Sequence, residues 1–279
     1  LPLEGGQTDA QVRLHPLLGG TAAWPEAWPH RADGPLRPLR AIGVGSPTVK
    51  IPLPAFLVEH PGAGPVLIDT GLDPAMSFGR VLGTTAARSF RIGPEGSVSD
   101  QLRARGVDPG DVKLVLMTHM HLDHASGIKL FPEATFLMSQ REWRAFSARN
   151  AVLGGYVRSH LPDGTAVRLL DFDGPQAGTH ATFARSLDLF GDGTVRALYT
   201  PGHTAGHTSF VVRTAAGEVL VAGDAVYTRH TLETGHLPTV MADEERFKTS
   251  LDQIRRYDGG LVIPGHDQAA WDDLDDAYY

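Results

Sequence analysis

Apolar and polar positions along the chain fall into short blocks, not into long helical stripes. Val49–Val58 is almost continuously apolar and carries Pro52 and Pro54, which suit an edge strand or a bulge. Gly62-Ala63-Gly64 reads as a hairpin loop, and Val66–Ile68 as a buried strand running into the polar turn Asp69-Thr70-Gly71. Val112 and Leu114–Met117 predict another buried strand. Thr135–Met138, Val195–Tyr199 and Leu261–Ile263 predict three more, and Ser209–Arg213 with Val219–Ala222 a hairpin around Gly217. Helical signals lie between them. Ser99–Arg105 is followed by Gly106 as its stop. Residues 127–131 predict a short helix, and Gln140–Arg149 an amphipathic one carrying Trp143 and Phe146. Asp243–Tyr257 places Phe247, Leu251 and Ile254 on one face, opens on acids and closes on Arg255 and Arg256 before Gly259.

Two regions lack such a signal. Residues 1–48 are rich in Pro and Gly and hold Trp24 and Trp28, which predicts an irregular arm packed on the body by its aromatics. That arm is a candidate wall for a pocket or a dimer contact. Residues 151–192 are weakly patterned and predict a lid or an insertion. Residues 72–97 read as loop, with Met76 and Phe78 as candidate pocket walls. The whole of 1–279 is expected to be a single domain with that arm.

The chemistry stands where the apolar blocks end. After Leu114–Met117 comes Thr118-His119-Met120-His121-Leu122-Asp123-His124. If the block is a strand, His119 and His121 point to the same side. Neutral imidazole is a common metal ligand and suits zinc. Asp123 and His124 come a short turn later and reach a second metal beside the first, so the stretch reads as half of a dinuclear site. A His-rich surface turn or a single structural zinc is the plainer alternative. His203 stands just past Val195–Tyr199 and is the expected third ligand of the first metal. His207, four residues on, is expected to support a ligand or to sit in the core. Asp224 closes an apolar strand, where an unpaired carboxylate is costly and bridging two cations removes the cost. His266 follows Leu261–Pro264 and completes the second metal's set with Asp123 and His124. Asp69 is expected either to orient a ligand histidine or to form an Asx turn. Tyr227, three residues after Asp224, either lays its hydroxyl over the site or lines its wall. Leu122 is a further candidate wall residue. The remaining histidines, His160 among them, are assigned to surface or packing.

Composition narrows the chemistry. There is no cysteine, so a metal must be held by nitrogen and oxygen, and no disulfide forms. A formal charge of −7 disfavours nucleic acid or an anionic membrane as main partner, and no apolar run approaches a membrane span. A cytoplasmic location is expected, with a removed leader left open by Leu1.

The motif His119-x-His121-x-Asp123-His124, followed in order by His203, Asp224 and His266, resembles that of the metallo-β-lactamase superfamily, from about Ile51 to His266. The resemblance implies an αββα sandwich with the dinuclear site at the edge of its two sheets. Asp224-Ala225-Val226-Tyr227 and the Gly265-His266-Asp267 end are similar to the N-acyl homoserine lactonases. What that likeness implies is a lactonase opening the ring of an acyl homoserine lactone, with Asp123 and Tyr227 as catalytic groups. Two ions at about 3.5–4 Å would share a water and lower its pKa towards about 7, and the hydroxide would attack the ring carbonyl. Tyr227 would donate a hydrogen bond to the oxyanion or the amide, and Asp123 would carry the proton to the leaving alkoxide. Zinc is the expected metal, with iron, cobalt and manganese suiting the same ligands. Other esters, thioesters, phosphodiesters, sulfate esters and β-lactams are the alternative substrates. A di-iron redox protein and a metal-binding module without chemistry are more distant readings. A homodimer is expected to be possible.

Overall fold

A computed structural model of the chain describes residues 1–41, 43–75 and 89–279. The first sheet comprises β1 (Arg13–Pro25), β2 (Thr48–His60), β3 (Gly64–Ile68), β4 (Leu114–Leu116), β5 (Thr135–Ser139) and β6 (Ala166–Leu170), adjacent in that order. The second comprises β7 (Gly178–His180), β8 (Phe183–Asp188), β9 (Val195–Tyr199), β10 (Thr208–Thr214), β11 (Gly217–Gly223) and β12 (Gly260–Pro264), adjacent in reverse order from β12 to β7. β1 to β3 pair antiparallel and β3 to β6 parallel. In the second sheet only β11 and β12 pair parallel.

Strand alternation sorts the apolar residues into three layers. Val66, Ile68, Leu116 and Leu137 meet Val195, Ala197, Phe210 and Val212 between the sheets. Leu67, Val115 and Phe136 turn the other way, onto Leu102 of the helix Val98–Ala104 and Phe146 of the helix Gln140–Ser147. Leu198, Val211 and Leu220 face Phe247, Leu251 and Ile254 of the helix Glu244–Arg255. Both faces of both sheets are therefore covered, which is why the strands read as continuous apolar runs. This is the expected αββα sandwich. The helices start where the sequence offers a cap: Ser97 forms a capping box with Asp100, and Asp243 accepts from the Arg246 amide.

Two expectations need correction. Residues 1–48 are not an irregular arm throughout, because β1 is a thirteen-residue strand paired along β2. Its alternation is hidden by Pro16 and by a bulge between Leu18 and Thr21 that holds Gly19 and Gly20. A Cβ on Gly19 would lie 2.6 Å from Gly71 Cα, so the bulge lets the turn after β3 pass against β1. Residues 151–192 are neither an insertion nor a lid as a whole, although residues 152–155 line the large cavity at the strand ends. They carry the chain from one sheet to the other through β6, β7 and β8. β6 and β7 are edge strands with mostly exposed side chains, so neither needs a sustained apolar pattern. Met76 and Phe78 lie outside the described residues. Among those described, no helix is long and apolar enough to cross a membrane.

Candidate metal centre

Each motif residue lies just beyond the C-terminal end of a strand. β3 leads to Asp69, β4 to His119–His124, β9 to His203 and His207, β11 to Asp224, and β12 to His266. His121 caps the short helix Leu122–Ala125, which turns Asp123 and His124 back to the same rim. The seven expected ligands come together there in two groups. His119 Nε2, His121 Nδ1 and His203 Nε2 form the first, with His203 Nε2 3.1 Å from His119 Nε2 and 2.8 Å from His121 Nδ1. Asp123, His124 and His266 form the second, with Asp123 Oδ2 3.7 Å from His124 Nε2 and 3.5 Å from His266 Nε2. Asp224 stands between them. Its Oδ2 is 3.2 Å from His203 Nε2, and its Oδ1 is 3.2 Å from His124 Nε2 and 3.1 Å from His266 Nε2.

These residues fit two divalent ions. Ligand bonds of about 2.0–2.1 Å in a tetrahedron put donor atoms roughly 3.3–3.4 Å apart, and the separations above bracket that value. Asp123 Oδ2, His124 Nε2, Asp224 Oδ1 and His266 Nε2 are buried without a well-formed hydrogen bond, a costly state unless a cation takes them. The donor set is nitrogen and oxygen throughout, as a cysteine-free chain requires.

The other nitrogen of every histidine in the cluster is held. His124 Nδ1 donates to Asp69 Oδ2 at 2.8 Å, and the Thr118 hydroxyl donates to the same oxygen at 2.7 Å. That hydroxyl lies 3.1 Å from His119 Nδ1, so Asp69 and Thr118 orient one histidine of each group. Asp69 does this from a left-handed backbone at φ 58, which an aspartate tolerates better than most residues. His121 Nε2 lies 2.8 Å from the Gly154 carbonyl, and His266 Nδ1 lies 2.9 Å from the Pro52 carbonyl. His203 Nδ1 faces the Val240 carbonyl at 3.3 Å and the Tyr227 hydroxyl at 3.1 Å. Such partners fix tautomer and ring orientation.

The two groups differ in charge. Burial drives His119 and His203 well below the ordinary imidazole range, and neighbouring imidazoles add to it. Burial also opposes charge on His124 and His266, but the carboxylates of Asp224 and Asp123 outweigh it, with Asp69 adding to the effect on His124; both are raised. Burial would raise Asp224, yet His266, His203 and His124 hold it well below the usual carboxylate range. His207 is not in either group. Its Nε2 accepts the Asp224 amide at 3.0 Å and its Nδ1 bonds the Thr200 hydroxyl at 2.9 Å, while burial holds it neutral down to about 3. It therefore anchors the turn that presents Asp224.

A cavity of about 850 Å³ opens over the cluster, lined by His121, Asp123, Asp224 and Tyr227 and walled by Trp24, Trp28, Phe90, Leu122 and Met241. Leu122 thus lies where a wall residue was expected, and the arm supplies both tryptophans. Sequence reasoning passed over Thr118, the Pro52, Gly154 and Val240 carbonyls, and Glu142. Backbone carbonyls leave no trace in side-chain identity. Glu142 left one: an acid four residues before Phe146, on the buried face of an amphipathic helix.

Comparison with known proteins agrees with this arrangement. The family model described as the metallo-beta-lactamase superfamily matches residues 52–266. N-acyl homoserine lactonase AttM of Azorhizobium caulinodans is 35% identical over 238 residues, covering 80% of this chain and 84% of that protein. The N-acyl homoserine lactonase AiiA of Bacillus thuringiensis subsp. kurstaki is 25% identical over 227 residues, covering 78% and 82%. Among solved structures, an N-acyl homoserine lactone hydrolase with the product N-hexanoyl-L-homoserine at its catalytic metal centre superposes with a TM-score of 0.74 at 21% identity, over 96% of this chain and 98% of that one. AidC, a dizinc quorum-quenching lactonase, superposes with a TM-score of 0.64 at 14% identity, over 96% and 92%. At those identities the superpositions speak for the fold; the sequence matches carry the kinship. The chain belongs to the metallo-beta-lactamase superfamily, among its members of the N-acyl homoserine lactonase kind.

Proposed function

We propose that the protein hydrolyses the lactone ring of N-acyl homoserine lactones with two divalent ions, zinc in the native enzyme. The observation that carries the reading is the pairing of two inward-facing donor groups, joined by Asp224, with an apolar-walled cavity of about 850 Å³. The relatives named lactonases support the substrate class. His119, His121 and His203 would hold one ion and Asp123, His124 and His266 the other, with Asp224 shared. When bound, the ions acidify a water and polarise the carbonyl oxygen.

The side chains do the rest. Trp24, Trp28 and Met241 receive the acyl chain, and bury apolar surface at about 25 cal/mol per Å². With His203 Nε2 committed to a ligand role, its Nδ1 carries the proton and donates to the Val240 carbonyl and the Tyr227 oxygen. The Tyr227 hydroxyl, which reaches the Val240 carbonyl at 3.4 Å and bonds Asp224, would swing its proton from these acceptors to the substrate. Burial raises this phenol well above its ordinary value, so it remains a donor across the working range of pH. Asp123 takes the proton of the attacking water and passes it to the alkoxide as the ring carbon–oxygen bond breaks, giving the open-chain N-acyl homoserine.

Proton release in a pH-stat tests the reading, with zinc-loaded protein and lactones of short and long acyl chain. Release that stops on chelation and returns with zinc is the expected result. No release from any chain length, with two ions bound per chain, would remove the lactone and turn attention to thioesters, phosphodiesters and β-lactams.

A further inference from the structure

Glu142 is fully buried, and no step described above uses it. Its Oε1 accepts the Met120 amide at 2.9 Å, and its Oε2 accepts the Thr204 hydroxyl at 2.6 Å. The Tyr156 hydroxyl adds an interaction with the same carboxylate. Met120 lies between His119 and His121, and Thr204 follows His203. One carboxylate therefore ties together the two loops that supply all three imidazoles of the first group. Tyr156 extends the tie: it bridges His121 through the backbone and follows the Gly154 carbonyl that orients His121. The helix bearing Glu142 is docked on the same loop. Ser139 Oγ donates to the Gly206 carbonyl at 2.7 Å, and a Cβ on Gly206 would lie 2.0 Å from the Glu142 nitrogen. No comparable side chain spans the Asp123, His124 and His266 group among the described residues.

We infer that Glu142 is a positioning residue that sets the spacing of His119, His121 and His203 by clamping Met120 to Thr204. The inference rests on the two-ion reading. A buried carboxylate that has lost its donors is costly, so the loops and the acid hold one another in place. Outer groups of this kind typically carry about 10–100-fold in metal affinity.

The test counts ions. Wild type, Glu142→Ala and Glu142→Gln are loaded with cobalt, dialysed against graded chelator and analysed for metal, with thermal melts of the metal-free forms as the check on folding. Wild type should keep two ions. Glu142→Ala should lose one of them at about 10–100-fold lower chelator strength and keep the other as wild type does. Adding His266→Ala, which removes the second group, should then leave no ion where each single variant keeps one. Glu142→Gln can still accept the Met120 amide and should recover most of the loss. Equal retention of both ions by Glu142→Ala, parallel loss of both, or no recovery in Glu142→Gln would overturn the inference. Should Glu142→Ala not fold, Thr204→Val removes one donor at constant shape and must show the same selective loss, smaller in size. A wild type that binds fewer than two ions would overturn the two-ion reading itself, and this inference with it.

Discussion

The two halves of the metal centre stand on the same kind of scaffold, strand ends opening onto one rim, and differ in what lies behind them. The outer ring nitrogens of His119, His121 and His203 meet neutral groups: a threonine hydroxyl, the Gly154 and Val240 carbonyls, and a tyrosine. Burial leaves His119 and His203 poor proton acceptors, so their lone pairs are available. His124 and His266 are surrounded by Asp123 and Asp224, with Asp69 behind His124, and these acids favour a positive charge against burial. The first half is thus organised by loops that must be held apart at the right spacing, the second by carboxylates that must be neutralised. Similar donor geometry therefore does not mean similar fragility. The first half should fail when its loops relax, the second when its charge balance is changed.

Asp224 turns one carboxylate oxygen to each half, and removing it should break the comparison altogether. Asp224→Ala is expected to retain at most one ion and to lose roughly 1000-fold or more in turnover, the equivalent of several kcal/mol of charge stabilisation. Metal analysis beside kcat checks it, and a variant with two ions and wild-type kcat would show that the halves act independently.

Tyr227 bonds the first half through His203 Nδ1 and packs its ring against His266 of the second, 5.5 Å between centroids. Tyr227→Phe is expected to keep both ions and to slow kcat by about 10–1000-fold, as the loss of one oxyanion donor does. A full loss of the first ion would instead make the phenol chiefly a support for His203, and unchanged turnover would reduce it to a wall. Asp69 works behind both halves, directly on His124 and through Thr118 on His119. Asp69→Ala should weaken binding by about 10–100-fold, and more for the ion at His124 than for the one at His119. Chelator titration of the two ions reads the difference. Equal weakening would mean that the hydroxyl relay to His119 counts as much as the direct contact.

Most of the framework was legible because burial on both faces writes strands as apolar runs, and the ligands follow those runs. Asp224 is an instance: a carboxylate at the end of Val219–Ala222 has few fates other than a cation. The first strand was not legible, since Pro16 and the Gly19-Gly20 bulge interrupt its alternation, and neither were β6 and β7, exposed edges with little apolar signal. The supports were legible only as side chains. Asp69 and His207 could be suspected from their positions. The carbonyls of Pro52, Gly154 and Val240 could not, because any residue type supplies a carbonyl. Glu142 follows Ser139 at capping-box spacing, which invites a purely local reading, yet its side chain leaves the helix end and reaches Met120 and Thr204.

His160 offers the finest adjustment of the comparison, since it bears on the second half only through the fold. Its turn, Arg158–His160, packs against Ser126–Leu130, which continues the helix carrying Asp123 and His124. Both ring nitrogens are buried without a partner, and burial, with Lys129 adding to it, lowers the imidazole to about 4. The sign follows from linkage. Between about 6.5 and 4 the unfolded chain binds a proton here and the folded chain does not, so stability is lost as pH falls through that window. The full shift corresponds to about 3 kcal/mol. Denaturant midpoints of the metal-free protein at pH 7 and pH 4.5 check it, comparing wild type with His160→Leu so that the contributions of the cluster histidines cancel. The leucine variant should lose less stability on acidification. Parallel losses would mean that His160 accepts its proton within the fold, and would return the acid sensitivity of this half to His124, His266 and their carboxylates.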